Sequence, residues 1–363
     1  MTTLLMTGFP GFLGSALLPR VLRRREGVRA ICLVQPRHMA MAQRRVHEIE
    51  TEHPHTLNRV ELIAGDITAP DLGIDPASRD GLDDVAEVWH LAAIYDLAVA
   101  EGVARRVNVE GTARVLDFCR SRPQFSRLQY VSTCYVSGDY EGEFTEDGLD
   151  EGQSFLNHYE STKFDAEALV RKAMADGLAA TIYRPGIVVG DSRTGETQKY
   201  DGPYFLASFM QRQLALAVVP AVGAIDRVRV SLVPRDFVIE AMDQLSVLDR
   251  SIGQTFALTD PNPPTVRQLV DLFASHLGKK VIWVWLPLRL TRAAVGSVPG
   301  LERLLGLPAE ALDYFASPTT YSTTNTFAAL AGTGVQCPPF ESYAGRLLDF
   351  MVDHPEIDSS AMV

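Results

Sequence analysis

Two side chains that could transfer a proton, Tyr159 and Lys163, stand four residues apart in a segment that predicts a helix over 158–175. Residues at this spacing lie on one face of a helix. A free tyrosine has a pKa of about 10, and a nearby positive charge such as a lysine ammonium favours the phenolate and lowers that pKa. The pair could therefore act as a general acid or base at neutral pH.

A glycine-rich turn lies between the first predicted strand and the first predicted helix. Its residues are Thr7, Gly8, Phe9, Pro10, Gly11, Phe12, Leu13 and Gly14. Glycines in such a turn allow the backbone to approach a pyrophosphate closely, and the N-terminus of the following helix faces the anion. An ordinary turn is the alternative interpretation, but the flanking strand and helix favour a dinucleotide site.

The residues after the second predicted strand bear on which dinucleotide binds. Sites that prefer NAD commonly have an acidic residue here, whereas this chain has Gln35 followed by Arg37 and, on the next helix, Arg45. A guanidinium binds phosphate in a forked geometry, so these arginines favour NADPH over NADH. A solvated basic face is the alternative. Asp66 and Ile67, at the end of the third predicted strand, are expected beside the adenine.

The order of predicted elements would bring these groups together. Over the first 190 residues, short apolar runs predict strands over 3–7, 29–34, 60–64, 87–90, 127–132 and 180–184. Longer patterns between them predict helices over 11–25, 39–51, 108–120 and 158–175. Because the strands are too apolar to have one wet face, the alternation predicts an α/β fold with a doubly wound parallel sheet.

The alternation ends at a polar loop over 191–196. A length of 363 residues indicates about two domains at roughly 150 residues each. We expect a nucleotide-binding domain over 1–190 and a mainly substrate-binding α/β lobe over 191–363, with some of its segments returning to the first domain.

Two features of this second lobe lead to further expectations. Thr265 is a predicted N-cap for a helix over 266–277. The apolar stretches 279–288 and 301–307 could line an acyl or steroid pocket or form ordinary core. A period of two in the first stretch favours a strand over a membrane-surface segment.

Composition excludes several classes of protein. The 34 Lys and Arg against 45 Asp and Glu give a formal net charge of −11, which repels nucleic acid. The four cysteines have no C-x-x-C spacing, so neither a metal site nor a disulfide framework is predicted. The longest uncharged apolar stretch, 214–225, is shorter than the roughly 18 residues of a membrane span. Since the N-terminus also lacks a signal-like pattern, we expect a cytoplasmic protein.

Taken together, these segments resemble the extended short-chain dehydrogenase/reductase superfamily. The segments that carry the resemblance are the turn 7–14, Ala92 and Ala93, Asn108, Ser132 and Thr133, and Tyr159 with Lys163. The resemblance implies a Rossmann domain in which Thr133, or alternatively Ser132, orients a substrate carbonyl. Tyr159 would donate the proton and Lys163 would hold the nicotinamide ribose. Pro185 and Ile187 would pack beside the nicotinamide, with Ala92, Ala93 and Asn108 also at the cofactor.

Within the superfamily, the chain is similar to the thioester reductase branch, which includes fatty acyl-CoA reductases and the reductase domains of carboxylic acid reductases and peptide synthetases. The similar stretches are 33–46, 65–74, 108–112 and 183–195. Gln35 is a departure, since that branch often has an arginine there. The resemblance implies an NADPH-dependent reductase, monomeric or homodimeric, of an acyl-CoA or carrier-bound acyl thioester. Its product would be an aldehyde, with reduction to the alcohol left open.

Other functions stay open from the sequence. The same residues could serve a ketone or hydroxysteroid dehydrogenase, or a sugar-nucleotide epimerase that uses Arg212, Arg227, Arg229 and Arg235 for anion binding. Sugar-nucleotide dehydratases have an Asp-Glu pair after the threonine, where this chain has Cys134 and Tyr135. A cofactor-sensing regulator is the non-enzymatic alternative, although such relatives generally lose the tyrosine or the lysine and this chain keeps both.

Overall fold

A seven-stranded, wholly parallel sheet is the central feature of the computed structural model, which describes residues 2–78, 80–221, 223–285 and 319–357. The strands in chain order are β1 (Thr3–Thr7), β2 (Arg29–Val34), β3 (Val60–Ala64), β4 (Val85–His90), β5 (Arg127–Val131), β6 (Gly142–Phe144), β7 (Ala180–Pro185), β8 (Ile187–Val189), β9 (Leu216–Ala221), β10 (Leu232–Pro234), β11 (Thr255–Leu258), β12 (Lys280–Trp285) and β13 (Thr319–Tyr321). The central sheet has the order β11-β7-β5-β4-β1-β2-β3.

Helices cover both faces of this sheet. In chain order they are α1 (Phe12–Arg24), α2 (Met39–Glu52), α3 (Glu101–Ala104), α4 (Gly111–Ser121), α5 (His158–Ala175), α6 (Pro203–Arg212), α7 (Arg235–Ser246), α8 (Val266–His276), α9 (Thr324–Leu330) and α10 (Ala344–Asp353). A π-helical turn, Arg105–Glu110, joins α3 to α4. The predicted α/β class and doubly wound parallel sheet are confirmed.

Two apolar layers explain why the sheet is buried on both sides. On one face, α1 and α7 contribute residues such as Leu18 and Phe237 to a continuous core. On the other face, α4 and α5 contribute residues such as Leu116 and Val170. Because each strand packs against helices above and below, the strand sequences are nearly continuous apolar runs.

The residues after 190 contribute to the central sheet and also form a separate cluster. Strand β11 pairs with β7 in parallel and so extends the central sheet at its edge. A third apolar cluster is built from α6, α8, α10 and the β9–β12 pair. Thr265 caps α8 as predicted, because its side chain accepts from the Gln268 amide while the Gln268 side chain accepts from the Thr265 amide.

Most boundaries of the predicted elements agree with the structure to within two residues, but one helix was predicted too short. The helix expected over 108–120 is preceded by the π turn and by α3, so helical structure begins at Glu101. The predicted strand within 279–288 is confirmed over Lys280–Trp285. Residues 286–288 and the apolar stretch 301–307 lie outside the described residues. Among the described helices, none has both the length and the apolar character needed to cross a membrane.

Candidate active site

A cavity of about 770 Å³ lies where β1, β4, β5 and β7 end at the carboxyl edge of the sheet. In a doubly wound sheet this edge is where ligands bind, at the point where the strand order reverses between β1 and β4. The predicted site residues that line it are Thr7, Gly8, Gly11, Phe12, Leu13, Gly14, Arg37, Asp66, Ile67, Ala92, Ala93, Ser132, Thr133, Tyr159, Lys163, Pro185 and Ile187. Folding therefore brings most of the predicted site together.

In the glycine-rich turn, Gly8 and Gly14 are packed so closely against neighbouring atoms that they have no room for a side chain. Gly8 has φ of +85°, and a Cβ there would stand 2.8 Å from the Ala92 amide nitrogen. A Cβ at Gly14 would stand 2.7 Å from the Gly8 carbonyl oxygen. The turn leads into α1, whose N-cap is Gly11 and whose first residues line the cavity. This bare backbone at a helix N-terminus fits a dinucleotide pyrophosphate.

A chain of polar side chains links the ends of β2 and β3 at the cavity. The Arg37 Nε donates to Gln35 Oε1 at 2.9 Å, and the Gln35 amide donates to Asp66 Oδ2 at 3.1 Å. The other Asp66 oxygen accepts from the Thr68 amide at 2.8 Å. Because Arg37 is anchored through Nε alone, its terminal nitrogens are in position to bind an anion at this end of the cavity.

Arg45 lies apart from this group. It lines a second cavity of about 680 Å³ between α1, α2 and α7, and its Nη1 donates to Glu48 at 2.9 Å. Arg20 and Arg24 line the same second cavity and form ion pairs with Asp243. The expectation that Arg45 shares a cofactor phosphate with Arg37 is therefore not supported by their placement, since Arg45 is on the side of α2 that faces α1.

Asn108 is also set back from the cavity. It is buried, its Oδ1 accepts from the Ile94 amide at 2.9 Å, and its Nδ2 donates to the Ile94 carbonyl and to Thr162 Oγ1, each at 3.0 Å. Asn108 thus ties the loop after β4 to helix α5. Asn108 is therefore a positioning residue for the cavity wall. The sequence had suggested that it contacts the cofactor, and its placement does not agree with this prediction.

His90 anchors the inner end of the same region. The ring lies between Thr7 Oγ1, 2.8 Å from Nδ1, and Thr112 Oγ1, 3.0 Å from Nε2. Since the Thr112 hydroxyl donates to the Asn108 carbonyl at 2.6 Å, Nε2 carries the hydrogen and Nδ1 accepts from Thr7. Burial, followed by the charge of Lys163, lowers the pKa of His90 to about 3. The imidazole is therefore neutral, and its two hydrogen bonds link the end of β1 to helix α4.

Thr133 and Tyr159 form the polar centre of the cavity. Thr133 follows β5, where its Oγ1 accepts from the Tyr135 amide at 3.3 Å and donates to the Pro185 carbonyl at 3.5 Å. Tyr159 lies in the first turn of α5, which Asn157 caps by accepting from the Glu160 amide. Burial raises the pKa of Tyr159 to about 12, opposed by a hydrogen bond with Thr133. The phenol therefore holds its proton at neutral pH.

Lys163 lies one helical turn below Tyr159 and is buried. Its Nζ donates to the Val131 carbonyl at 2.8 Å and to the Tyr130 hydroxyl at 3.1 Å, and it stands 4.7 Å from the Tyr130 ring centroid. Burial lowers the pKa of Lys163 to about 8, while the charge of Glu167 acts in the opposite direction. An ammonium has three donors, so one remains for a ligand in the cavity.

Ser132 is engaged elsewhere. Its hydroxyl donates to Glu167 Oε2 at 2.6 Å, and Glu167 is fully buried against Arg184, whose Nη2 is 2.6 Å away. Neighbouring Arg184 and Arg171 outweigh the effect of burial and hold the pKa of Glu167 below its usual range. Of the two hydroxyls predicted to orient a carbonyl, Thr133 is thus the one directed to the cavity centre.

Sequence reasoning missed three polar residues that lie together in the cavity lining: Tyr95, Lys199 and Asp201. Tyr95 follows β4, and the other two belong to the irregular segment between β8 and α6. A lysine two residues from an aspartate in a loop produces no periodic signal, so only the tertiary structure shows that they face the cavity.

A dinucleotide turn, a buried lysine and a protonated tyrosine beside a threonine meet at the carboxyl edge of one parallel sheet. They define an oxidoreductase of the extended short-chain dehydrogenase/reductase class, with a nicotinamide dinucleotide as cofactor. Residues 6–242 match the profile of the Male sterility protein family, and the chain belongs to that family. Among the described residues, no group of three His, Cys, Asp or Glu side chains could hold a metal ion.

Two relatives are each similar to about three quarters of this chain. A linear gramicidin synthase protein of Brevibacillus parabrevis is 26% identical over 277 residues, which are 73% of this chain and 5% of that protein. Glycine betaine reductase ATRR of Emericella nidulans is 28% identical over 284 residues, which are 74% of this chain and 22% of that protein. The chain thus spans less than a quarter of the length of either relative.

A similar solved structure covers nearly the whole chain. The terminal R domain from the myxalamid PKS-NRPS biosynthetic pathway superposes with a TM-score of 0.83 at 28% identity, over 98% of this chain and 91% of that chain. The similarity extends beyond the family match at residues 6–242 and includes the residues after 242.

Proposed function

We propose that this protein is an NADPH-dependent reductase that converts an acyl thioester to an aldehyde. The observation that carries the proposal is the Thr133–Tyr159 pair, a hydroxyl and a protonated phenol held side by side in the cavity. Two donors in this arrangement suit a carbonyl oxygen that gains negative charge during reduction. The relatives named above belong to peptide synthetases and reductases, which favours a carrier-bound thioester over a free acyl-CoA.

The residues of the chain would divide the chemistry among them. A dihydronicotinamide, which the glycine-rich turn and Lys163 would hold, would supply hydride to the thioester carbonyl carbon. Thr133 and Tyr159 donate hydrogen bonds to the oxyanion that forms, and each such donor is worth about 3 kcal/mol. The C=O bond then re-forms as the C–S bond breaks, and the proton of Tyr159 passes to the departing sulfur, so that a thiol and an aldehyde leave. Lys163 would hold the nicotinamide ribose and stabilise the tyrosinate that results.

The choice of NADPH rests on the end of β2. Gln35 stands where an acid would bind a ribose hydroxyl, and Arg37 lines the cavity beside it. An acid would repel a 2′-phosphate, whereas a guanidinium binds it. Because Arg45 lies at the second cavity, we assign the 2′-phosphate to Arg37 alone. We further propose that the protein acts in the cytoplasm, as a monomer or homodimer.

The structure offers less support for the alternative reactions. None of the arginines considered for sugar-nucleotide binding, all of which are described, lines the main cavity: Arg212, Arg227, Arg229 and Arg235. At the position of the dehydratase acid, the Cys134 thiol donates to the Arg184 carbonyl at 3.0 Å, and burial raises its pKa far above its usual range. Reduction of a ketone remains the alternative that the same hydroxyl pair could serve.

The test is NADPH oxidation with a panel of acyl-CoA and acyl-carrier thioesters and a matched panel of ketones. We expect thioester turnover by the wild type, with NADPH preferred to NADH, and a loss of at least about a hundredfold in kcat for Tyr159→Phe, which lacks the donated proton. Tyr140→Phe is the matched control, since Tyr140 is partly exposed and does not line the cavity. Ketone turnover without thioester turnover would replace the proposal with the alternative.

A further inference from the structure

Three side chains that the proposed reaction does not use meet in the cavity: Tyr95, Lys199 and Asp201. The Lys199 ammonium forms an ion pair with Asp201 and lies 4.0 Å from the centroid of the Tyr95 ring. The ion pair is half-buried, with 16% of the Lys199 side chain and 33% of the Asp201 side chain exposed. Partial desolvation of an ion pair in a largely apolar cavity has a cost that a ligand or a structural role can offset.

The trio lies toward the substrate side of the cavity. Gly202, next to Asp201 in the chain, packs on Ile187, since a Cβ at Gly202 would stand 3.1 Å from the Ile187 Cγ2. Ile187 lies two residues after Pro185, whose carbonyl accepts from Thr133. Lys199 is held against Tyr95, and the same lining contains the apolar side chains of Ile187 and Phe205. The adenine end of the cavity, marked by Arg37 and Asp66, is formed by different elements, at the ends of β2 and β3.

The chemistry of the pair selects among possible ligands. Lys199 can donate hydrogen bonds beyond the one to Asp201, and the Asp201 carboxylate has acceptor sites beyond the one used by Lys199. Burial raises the pKa of Asp201, while the charge of Lys199 acts in the opposite direction. A ligand carboxylate would be repelled by Asp201 and a ligand ammonium by Lys199. A neutral amide satisfies both, because its carbonyl accepts from Lys199 and its N–H donates to Asp201.

We infer that Lys199 and Asp201 form an amide-binding subsite beside the reacting thioester, with Tyr95 holding the Lys199 ammonium in place. The inference rests on the proposed function. A thioester substrate can bring an amide from two sources: the pantetheine arm that carries the thiol, or an aminoacyl or peptidyl acyl chain. Either source presents the same donor and acceptor, and the hydrogen bonds would fix the carbonyl carbon relative to Thr133 and Tyr159.

The test uses four thioesters that differ in where an amide is present. N-Acetylcysteamine, which carries the amide nearest the thiol of pantetheine, and pentanethiol serve as the thiols with and without an amide, and N-acetylglycyl and pentanoyl serve as the matched acyl groups. We expect the wild type to prefer amide-containing thioesters in kcat/KM. Lys199→Met and Asp201→Leu should each lower that preference about tenfold, the value of one hydrogen bond to a charged group. Lys199→Arg, which keeps the donors, should retain most of the preference.

Control measurements distinguish failure of this inference from failure of the proposed function on which it rests. Lys172→Met removes an exposed Lys–Asp pair on α5, 2.8 Å long, and should leave the preference unchanged. NADPH affinity reports whether each variant is folded. The source of the amide is identified by whether the lost preference follows the thiol or the acyl group. Variants that keep the wild-type preference for amide-containing thioesters, or that lose activity toward all four thioesters in the same proportion, overturn the inference while the proposed function stands. Failure of the wild type to reduce any of the four overturns both.

Discussion

Three titratable residues of the candidate active site have pKa values that differ widely, which agrees with the roles proposed for them. The pKa is about 3 for His90, about 8 for Lys163 and about 12 for Tyr159. At neutral pH the imidazole is therefore neutral, the ammonium is charged and the phenol is protonated. The proposed reduction needs such a state, since in it the phenol gives a proton and the lysine attracts an anionic cofactor.

This spacing of pKa values predicts that the pH dependence of cofactor binding reports on Lys163. Above about pH 8 the lysine loses its proton, whereas His90 and Tyr159 do not titrate nearby. We expect NADPH affinity to fall roughly tenfold as pH rises through this value, because a charge-assisted hydrogen bond is lost. Nicotinamide fluorescence measured on either side of pH 8 tests this.

Lys163→Arg is the informative variant for this prediction. A guanidinium stays charged across the range, so the fall should move to higher pH. Lys172→Met, at an exposed position on the same helix, should keep the wild-type profile. An unchanged profile in Lys163→Arg would show that some other group controls binding.

Single residues also show how far a sequence can predict a site. Gly8 and Tyr159 could be predicted because local spacing alone defines a turn or a helix face. The placement of Arg45 could not be predicted, because Arg44 and Arg45 are adjacent on one helix. The local sequence does not decide which of the two faces the carboxyl edge of the sheet. Lys199 and Asp201 depend on how an irregular segment packs, and this is a property of the whole fold.

At the scale of elements, the helical run from Glu101 to Ser121 is interrupted by the π turn Arg105–Glu110. Such turns are often found at functional sites, where they redirect side chains. Here Asn108 lies within the turn and reaches both the loop after β4 and helix α5. The sequence predicted a helix from 108 because residues 94–104 have no strong apolar period, so the preceding turn and its π geometry were not detected.

We predict that Asn108→Ala disturbs the site from a distance. The variant loses three hydrogen bonds and leaves the Ile94 backbone without its side-chain partner, so the free energy of unfolding should fall by about 2–3 kcal/mol. Since Asn108 positions α5, kcat should also fall while the pKa governing NADPH binding stays near 8. Asn262→Ala, at an exposed position, is the control. Stability equal to that control would show that Asn108 does not brace the helix.

For the whole molecule, the residues after 190 are bound to the central sheet at several places. Strand β11 lies at its edge, and α7 packs on α1 across one face. The alternating pattern of the first 190 residues predicted six strands of the sheet, but β11 has only four residues, flanked by turns, and was missed. Its pairing with β7 depends on long-range packing. The division into domains near residue 190 stays a prediction.

Glu146 joins distant parts of the chain directly. It is buried, and its Oε1 accepts from the Ala257 amide of β11 at 2.9 Å and from the Thr326 amide and hydroxyl of α9 at 3.0 and 2.6 Å. Its Oε2 accepts from the Asn325 amide. One carboxylate thus holds α9 against the edge strand of the central sheet.

We predict that Glu146→Ala lowers the free energy of unfolding by about 3 kcal/mol, because several buried donors lose their acceptor at once. Glu146→Gln should cost less. It keeps an acceptor at the Oε1 position and removes a buried charge, although its amide then faces the Asn325 N–H. Glu143→Ala, exposed on β6, is the control. Denaturant unfolding of the three variants ranks their free energies of unfolding. A Glu146→Ala protein as stable as Glu143→Ala would show that α9 is held by apolar packing alone.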